Sequence, residues 1–99
     1  MSDPVTALPT VGTVTVRYWA AARAASGVAS DEVPAVEGMT LADLLGTVAA
    51  RHADRPRLAQ VVSVCSVLVG DRPVGSAAPD DVRLEAGDTV ELLPPFAGG

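Results

Sequence analysis

Apolar and polar residues alternate strictly over residues 13–19: Val14, Val16 and Tyr18 fall on one face, and Thr13, Thr15, Arg17 and Trp19 on the other. That period of two predicts a half-buried strand whose first set faces the core. Residues 20–25 are alanine-rich and stop at Gly27, which predicts a short helical turn with a glycine terminator. Residues 31–36 read as a second strand, and Pro34 within it places that strand at a sheet edge. The pattern then changes period. Over residues 40–52, Leu41, Leu44, Leu45, Val48 and His52 form one stripe at helical spacing, with Asp43, Thr47, Ala50 and Arg51 pointing away. Thr40 is the expected cap, Asp43 suits a capping box and the helix dipole, and Met39 stands where it can staple onto Leu44. Gly46 within this helix costs up to about 1 kcal/mol relative to alanine, which asks for a close approach to a neighbour.

Residues 54–62 predict a second short helix, with Asp54 near its cap and Pro56 in its first turn. Residues 65–69 form a β-branched run stopped by Gly70-Asp71, and residues 72–74 return as the other arm of a hairpin. Residues 79–87 are mostly loop, and residues 88–93 make the last strand. Strand, strand, helix, then strands is an α+β order, a mixed sheet with one main helix packed across it. Residues 1–12 have Pro4, Pro9 and no sustained periodicity, and read as a mobile arm before a domain at residues 13–93.

Composition narrows the function. Ninety-nine residues, 48% apolar and 19% charged, fit one folded domain and not a disordered chain. The net charge of −5 makes nucleic acid an unsuitable partner and favours an enzyme with a basic pocket. All seven basic residues are arginine. Without lysine there is no phosphate-loop lysine, no Schiff base and no acceptor for an isopeptide bond, so ATP-driven chemistry has to come from another protein. One cysteine makes no internal disulfide, no basic-then-apolar leader precedes Arg17, and the longest apolar run, residues 61–69, is far short of the roughly 20 residues of a membrane span. These features predict a cytoplasmic protein with no membrane association.

The end of the chain carries the chemistry. Val90-Glu91-Leu92-Leu93 is followed by Pro94-Pro95, which end strand pairing because proline has no N–H to give, and then by Phe96-Ala97-Gly98-Gly99. Two prolines favour an extended backbone, so residues 94–99 reach up to roughly 20 Å at about 3.3 Å per residue. Gly98 and Gly99 have no side chains, so a narrow channel can close on the backbone around a terminal carboxylate. A frayed end or an expression scar is the plain alternative. Chance alone gives two terminal glycines in roughly one chain in two hundred.

This ending, the preceding Gly87-Asp88, and Val14-Thr15-Val16-Arg17-Tyr18-Trp19-Ala20-Ala21-Ala22-Arg23 resemble the small sulfur-carrying subunit of molybdopterin synthase, the MoaD branch of the MoaD/ThiS group, from about residue 14 to residue 99. The resemblance implies a ubiquitin-like β-grasp fold, with first and last strands side by side in the sheet centre, and a flexible tail. It also implies that an E1-like adenylyltransferase, using ATP and magnesium, activates the Gly99 carboxyl group, and that a sulfur donor displaces AMP to leave a thiocarboxylate. By the same resemblance the tail then enters the large subunit, with which the chain forms a heterotetramer, and sulfur passes to the pyranopterin precursor. Gly99 bears the reacting group, Gly98 permits threading, and Pro94, Pro95, Phe96 and Ala97 hold the reach. The chain binds no cofactor and contributes no catalytic residue beyond its terminus.

If the first and last strands are neighbours, Trp19 and Leu93 share the face away from the helix, with Leu68 a third member, and form an exposed apolar patch for partners. A loop or the arm covering Trp19 is the competing arrangement. Cys65 in an apolar run reads as a small core residue, His52 as a residue suited to the helix dipole, and Asp80-Asp81 as a solvated loop. No clustered His/Cys spacing points to a metal. Three other functions stay open: a carrier for thiazole or cysteine synthesis, a ubiquitin-like modifier of other proteins, and a β-grasp binding module with an inert tail.

Overall fold

The computed structural model describes residues 9–95. In chain order the elements are β1 (Thr10–Tyr18), α1 (Ala20–Ser26), β2 (Ser30–Val36), α2 (Leu41–Arg51), α3 (Pro56–Val62), β3 (Ser66–Val69), β4 (Arg72–Pro73), a 3₁₀ turn (Pro79–Asp81) and β5 (Thr89–Leu93). The sheet order is β2-β1-β5-β3-β4. β1 and β5 run parallel in the centre, with Val16 opposite Val90 and Tyr18 opposite Leu92, and the other pairings are antiparallel. This is the β-grasp arrangement that the resemblance implies, although α1 and α3 accompany the main helix.

The alternation sorts residues as expected. Val14, Val16 and Tyr18 of β1, Val33 and Ala35 of β2, and Val90 and Leu92 of β5 are buried on the face covered by Leu41, Leu44 and Val48 of α2. Burying side chains of this size stabilises by about 1.5–3 kcal/mol each. α2 starts where its sequence demands. The Thr40 side chain accepts from the Asp43 amide at 3.2 Å, and the Asp43 carboxylate accepts from the Thr40 amide at 3.0 Å, a complete capping box. Met39 and Leu44 both lie in the core. α1 ends on Gly27 at φ 80°, and the Gly27 amide donates to the Arg23 carbonyl. The positive φ is what favours glycine there; the guanidinium of Arg55 lies where a side chain at Gly27 would go and would have to move aside for one.

Three expectations need correction. The first described strand starts at Thr10, so residues 10–12 belong to the sheet and not to an arm ending at residue 12; residues 1–8 lie outside the described residues. Thr10 pairs with Val36 and Gly12 with Ala35, and the register slips between them. That bulge breaks the alternation that would have announced the strand. α3 begins at Pro56 and not at residue 54, with Arg55 at the cap position and Asp54 beside it. Gly46 makes no close approach: a methyl group there would meet nothing within 4 Å, and the residue is exposed. Gly46→Ala is therefore expected to raise stability by about 0.5–1 kcal/mol, read as a higher urea midpoint with an unchanged slope.

Candidate partner-docking site and tail root

Three predicted docking residues lie near the end of the sheet where the chain leaves. β5 stops at Leu93, and Pro94 and Pro95 follow outside any ladder, Pro95 exposed. Trp19 comes directly after Tyr18, the register partner of Leu92, and its amide donates to the Leu92 carbonyl at 3.3 Å. The root of the tail and Trp19 are thus tied by backbone. Trp19 is 39% exposed, so among the described residues no loop covers it; the first eight residues, the other candidate cover, lie outside the described residues. Phe96, Ala97, Gly98 and Gly99 lie outside the described residues.

The outer face is less uniformly apolar than its pattern predicts. Glu91 stands opposite Arg17 on one side and Leu68 on the other. The Trp19 indole Nε1 donates to Glu91 Oε1 at 2.9 Å, Arg17 Nη1 lies 3.8 Å from the same oxygen, and the Arg17 guanidinium sits 4.8 Å from the centre of the Trp19 ring. A tryptophan, a cation and a carboxylate therefore brace one another between Leu93, which is half-buried opposite Ser66, and the half-buried Leu68. The cation–π contact is worth about 0.5–1 kcal/mol at an exposed site. Its larger effect is to fix the indole orientation beside the tail root, where a rotating ring would lose entropy on docking. Alternation placed Arg17 and Glu91 on this face, but only the parallel register of β1 and β5 brings them together.

Sequence reasoning missed a second polar cluster, on the core side of the same end. Asp31, at the start of β2, accepts at one oxygen, Oδ2, from the Tyr18 hydroxyl at 2.7 Å and from His52 Nε2 at 2.6 Å. An ionised carboxylate only accepts, so His52 carries its hydrogen on Nε2. Arg51 Nη1 lies 3.7 Å from Oδ1 and donates to the Glu32 carbonyl at 2.8 Å. The Tyr18 and His52 rings meet edge to face with centroids 5.9 Å apart. Burial alone would raise the Asp31 carboxyl, but the hydrogen bonds from His52 and Tyr18 and the charges of His52 and Arg51 outweigh it and hold it below the ordinary aspartate value. Burial first, then the bond to Asp31 and its charge, push the Tyr18 hydroxyl well above the ordinary tyrosine range. His52, placed by its periodicity near the helix end, joins the C-terminus of α2 to β1 and β2. Asp31 carried no signal alone, because its partners are 13 and 21 residues away in the chain.

Cys65 precedes β3, packs half-buried against the core, and its thiol lies 3.3 Å from the Val61 carbonyl. Burial pushes that thiol's pKa up, away from the thiolate that reaction requires. Among the described residues no group of three His, Cys, Asp or Glu side chains is placed to hold a metal, and no helix is long and apolar enough to cross a membrane.

Comparison with known proteins agrees with this arrangement. A protein described as molybdopterin converting factor subunit 1, from Pyrococcus furiosus, is 26% identical with a TM-score of 0.69, over 86% of this chain and 99% of that one. The Amycolatopsis orientalis BexX/CysO complex contains a chain 28% identical with a TM-score of 0.63, over 87% of this chain and 99% of that one. SAMP1 from Haloferax volcanii is 24% identical with a TM-score of 0.73, over 89% of this chain and 100% of that one, a likeness of fold alone. No curated protein matches. The sequence matches the ThiS family over residues 16–99, from the middle of β1 to the final glycine. The chain belongs to the ThiS family of ubiquitin-like sulfur carriers.

Proposed function

We propose that this chain carries sulfur for molybdenum cofactor synthesis, as a thiocarboxylate on Gly99. An E1-like adenylyltransferase uses ATP and magnesium to join AMP to the Gly99 carboxyl group, with pyrophosphate leaving. A sulfur donor then attacks the acyl carbon and AMP leaves, so oxygen is exchanged for sulfur. The thiocarboxylate is the better nucleophile, and the large molybdopterin synthase subunit supplies the residues that pass its sulfur to the pyranopterin precursor. The supporting observation is that strand pairing ends at Leu93 and Pro94-Pro95 follow outside the ladder, beside an exposed and braced Trp19. A stiff spacer and an anchor at its root let one docking event deliver the terminus to a buried centre. The likeness to the Pyrococcus furiosus protein supports the molybdopterin branch.

The 28% identity with a chain of the BexX/CysO complex favours a second reading, a carrier serving another sulfur acceptor. Intact-mass measurement on protein from its native host tests the shared step, because an oxygen-to-sulfur exchange at the terminus changes the mass by a fixed increment. Complementation then separates the branches. A host lacking this gene should lose molybdenum enzyme activity while retaining thiamine and cysteine prototrophy; retained molybdenum enzyme activity would sink the branch assignment.

Trp19→Ala is expected to weaken association with the large subunit by about tenfold to a hundredfold, the range for a tryptophan at an interface centre. Calorimetric titration against that subunit measures it. Unfolding of the free variant should change little, since Trp19 contributes no core packing. Undiminished affinity would remove Trp19 from the interface.

A further inference from the structure

The net charge of −5 is unevenly placed. Glu37, Asp43, Glu85 and Asp88 gather where β1 begins and α2 starts: Leu84 and Leu41 bond to Met39 and Val82, the Gly87 amide bonds to the Thr13 carbonyl, and Thr40 bridges Arg83. Asp71, Asp80 and Asp81 lie toward the same end, where the Gly70 amide bonds to the Thr89 carbonyl. Only Arg72 and Arg83 offset them there. The opposite end, where the tail departs, has the reverse sign. Its carboxylates Asp31 and Glu91 are already engaged by His52, Arg51, Tyr18, Trp19 and Arg17. That leaves Arg23 on α1 and Arg55 and Arg57 at the start of α3, all exposed and, among the described residues, none ion-paired; the carboxylates toward that end without an ion pair are Asp54, next to Arg55, and Glu32, which accepts from the Thr15 hydroxyl.

Two of these arginines, Arg55 and Arg57, lie against α1 from α3, and Arg23 is on α1 itself. α1 and α3 pack together, Arg57 lines a shallow groove with Ala21, Ala24 and Ala25 of α1, and Arg55 lies over Gly27 at the end of α1. Arg23 stands one turn beyond Trp19, its amide 3.4 Å from the Trp19 carbonyl. Cationic residues thus stand on both helices next to the root of the tail, on α1 directly after Trp19 and on α3 packed against it. Net charge alone predicted a partner with a basic pocket; the spatial distribution turns the acidic end away and leads with cations.

We propose that the α1–α3 arginine face, Arg23 with Arg55 and Arg57, docks on an acidic surface of the enzyme that adenylates the tail, so that this acidic protein is drawn in tail end first. The proposal rests on the carrier reading above. Complementary potentials act chiefly on encounter rate and orientation, and they are screened by salt. Arginines that neither pair internally nor pack in the core retain their charge for a partner, and their planar guanidinium groups match carboxylates in bidentate fashion.

The test is ATP–pyrophosphate exchange by the E1-like adenylyltransferase of the same genome, with the full chain as substrate. It runs from about 0.1 M to about 1 M NaCl, across which the screening length falls from about 10 to about 3 Å. The charge-reversing variant Arg23→Glu with Arg57→Glu should raise KM about tenfold at the low-salt end with kcat unchanged, and the difference should close at the high-salt end. Arg55 is left in place because it covers Gly27. Arg23→Lys with Arg57→Lys should keep most of the wild-type KM, which separates lost charge from lost structure. A reversal variant with the wild-type KM and salt dependence overturns the docking proposal alone. Absence of exchange with the wild-type chain overturns the carrier reading and this proposal with it. Inorganic tripolyphosphate that binds the free chain through Arg23 and Arg57, with KM unaffected by reversal, assigns the face to a polyanion and also overturns the proposal.

Discussion

Deleting Gly99 abolishes thiocarboxylate formation on the sulfur-carrier reading, while the unfolding transition stays where it is. The shortened chain still ends in glycine and still has a carboxylate, so its intrinsic reactivity is unchanged. What changes is position. One residue of extended chain is about 3.3–3.6 Å, and displacement of a reacting group by about 1 Å already costs about a hundredfold in rate. With Pro94-Pro95 stiffening the spacer and Trp19 anchoring its root, the tail cannot slide forward to compensate. The expected loss is therefore at least a hundredfold, and more where the shortened end fails to reach the adenylate site at all. The fold is indifferent because β5 ends at Leu93, before both prolines. Intact mass after incubation with the activating enzyme, ATP, magnesium and a sulfur donor reads the result. Gly99→Ala makes a useful companion: it keeps the length and the carboxylate but adds a methyl group at the reacting residue, so it should be impaired less than the deletion. A deletion variant that still acquires sulfur would show that the carboxylate of Gly99 is not the loaded group.

Much of this arrangement is legible wherever one residue's environment is set by its chain neighbours. The core face of β1, the capping box at Thr40 and Asp43, the edge position of the Pro34 strand and the outward face of Glu91 all follow from local periodicity or local hydrogen bonding. What escaped depends on pairing across the chain. The bulge between Thr10 and Gly12 removes alternation just where β1 begins, so a strand looked like an arm. Trp19 and Leu93 formed a plain apolar patch on paper because nothing local shows Arg17 and Glu91 meeting between β1 and β5. Net charge sums over the surface and shows nothing of how the charges divide between its ends.

Asp31→Ala is expected to cost about 3 kcal/mol near neutral pH, an unusually large effect for a residue at the start of an edge strand. Removing one partner of a largely buried charged cluster typically costs about 3–5 kcal/mol, and partial solvation places this site at the lower end. The loss has a structural source. The Tyr18 hydroxyl, on a residue 2% exposed, is left without its acceptor, and His52 and Arg51 at the end of α2 lose the carboxylate that ties them to β2. Asp31→Asn should cost less, about 1–2 kcal/mol, because the amide oxygen still accepts from Tyr18 while the charge is gone. The acid side provides the sharper check. Asp31 has a lowered pKa in the folded state, so its contribution is present above the unfolded value of 3.8 and disappears as pH falls through the folded value. The stability difference between wild type and Asp31→Asn should accordingly narrow as urea titrations move from neutral pH into that acidic range. At the alkaline end the direction reverses: Tyr18 ionises near 10.0 in the unfolded chain but stays protonated when folded, so the wild type loses stability above that pH and Tyr18→Phe loses less. A wild-type to Asp31→Asn difference that stays constant from neutral to strongly acidic pH would show that the carboxylate charge contributes nothing, and that Asp31 serves only as a neutral hydrogen-bond acceptor for Tyr18.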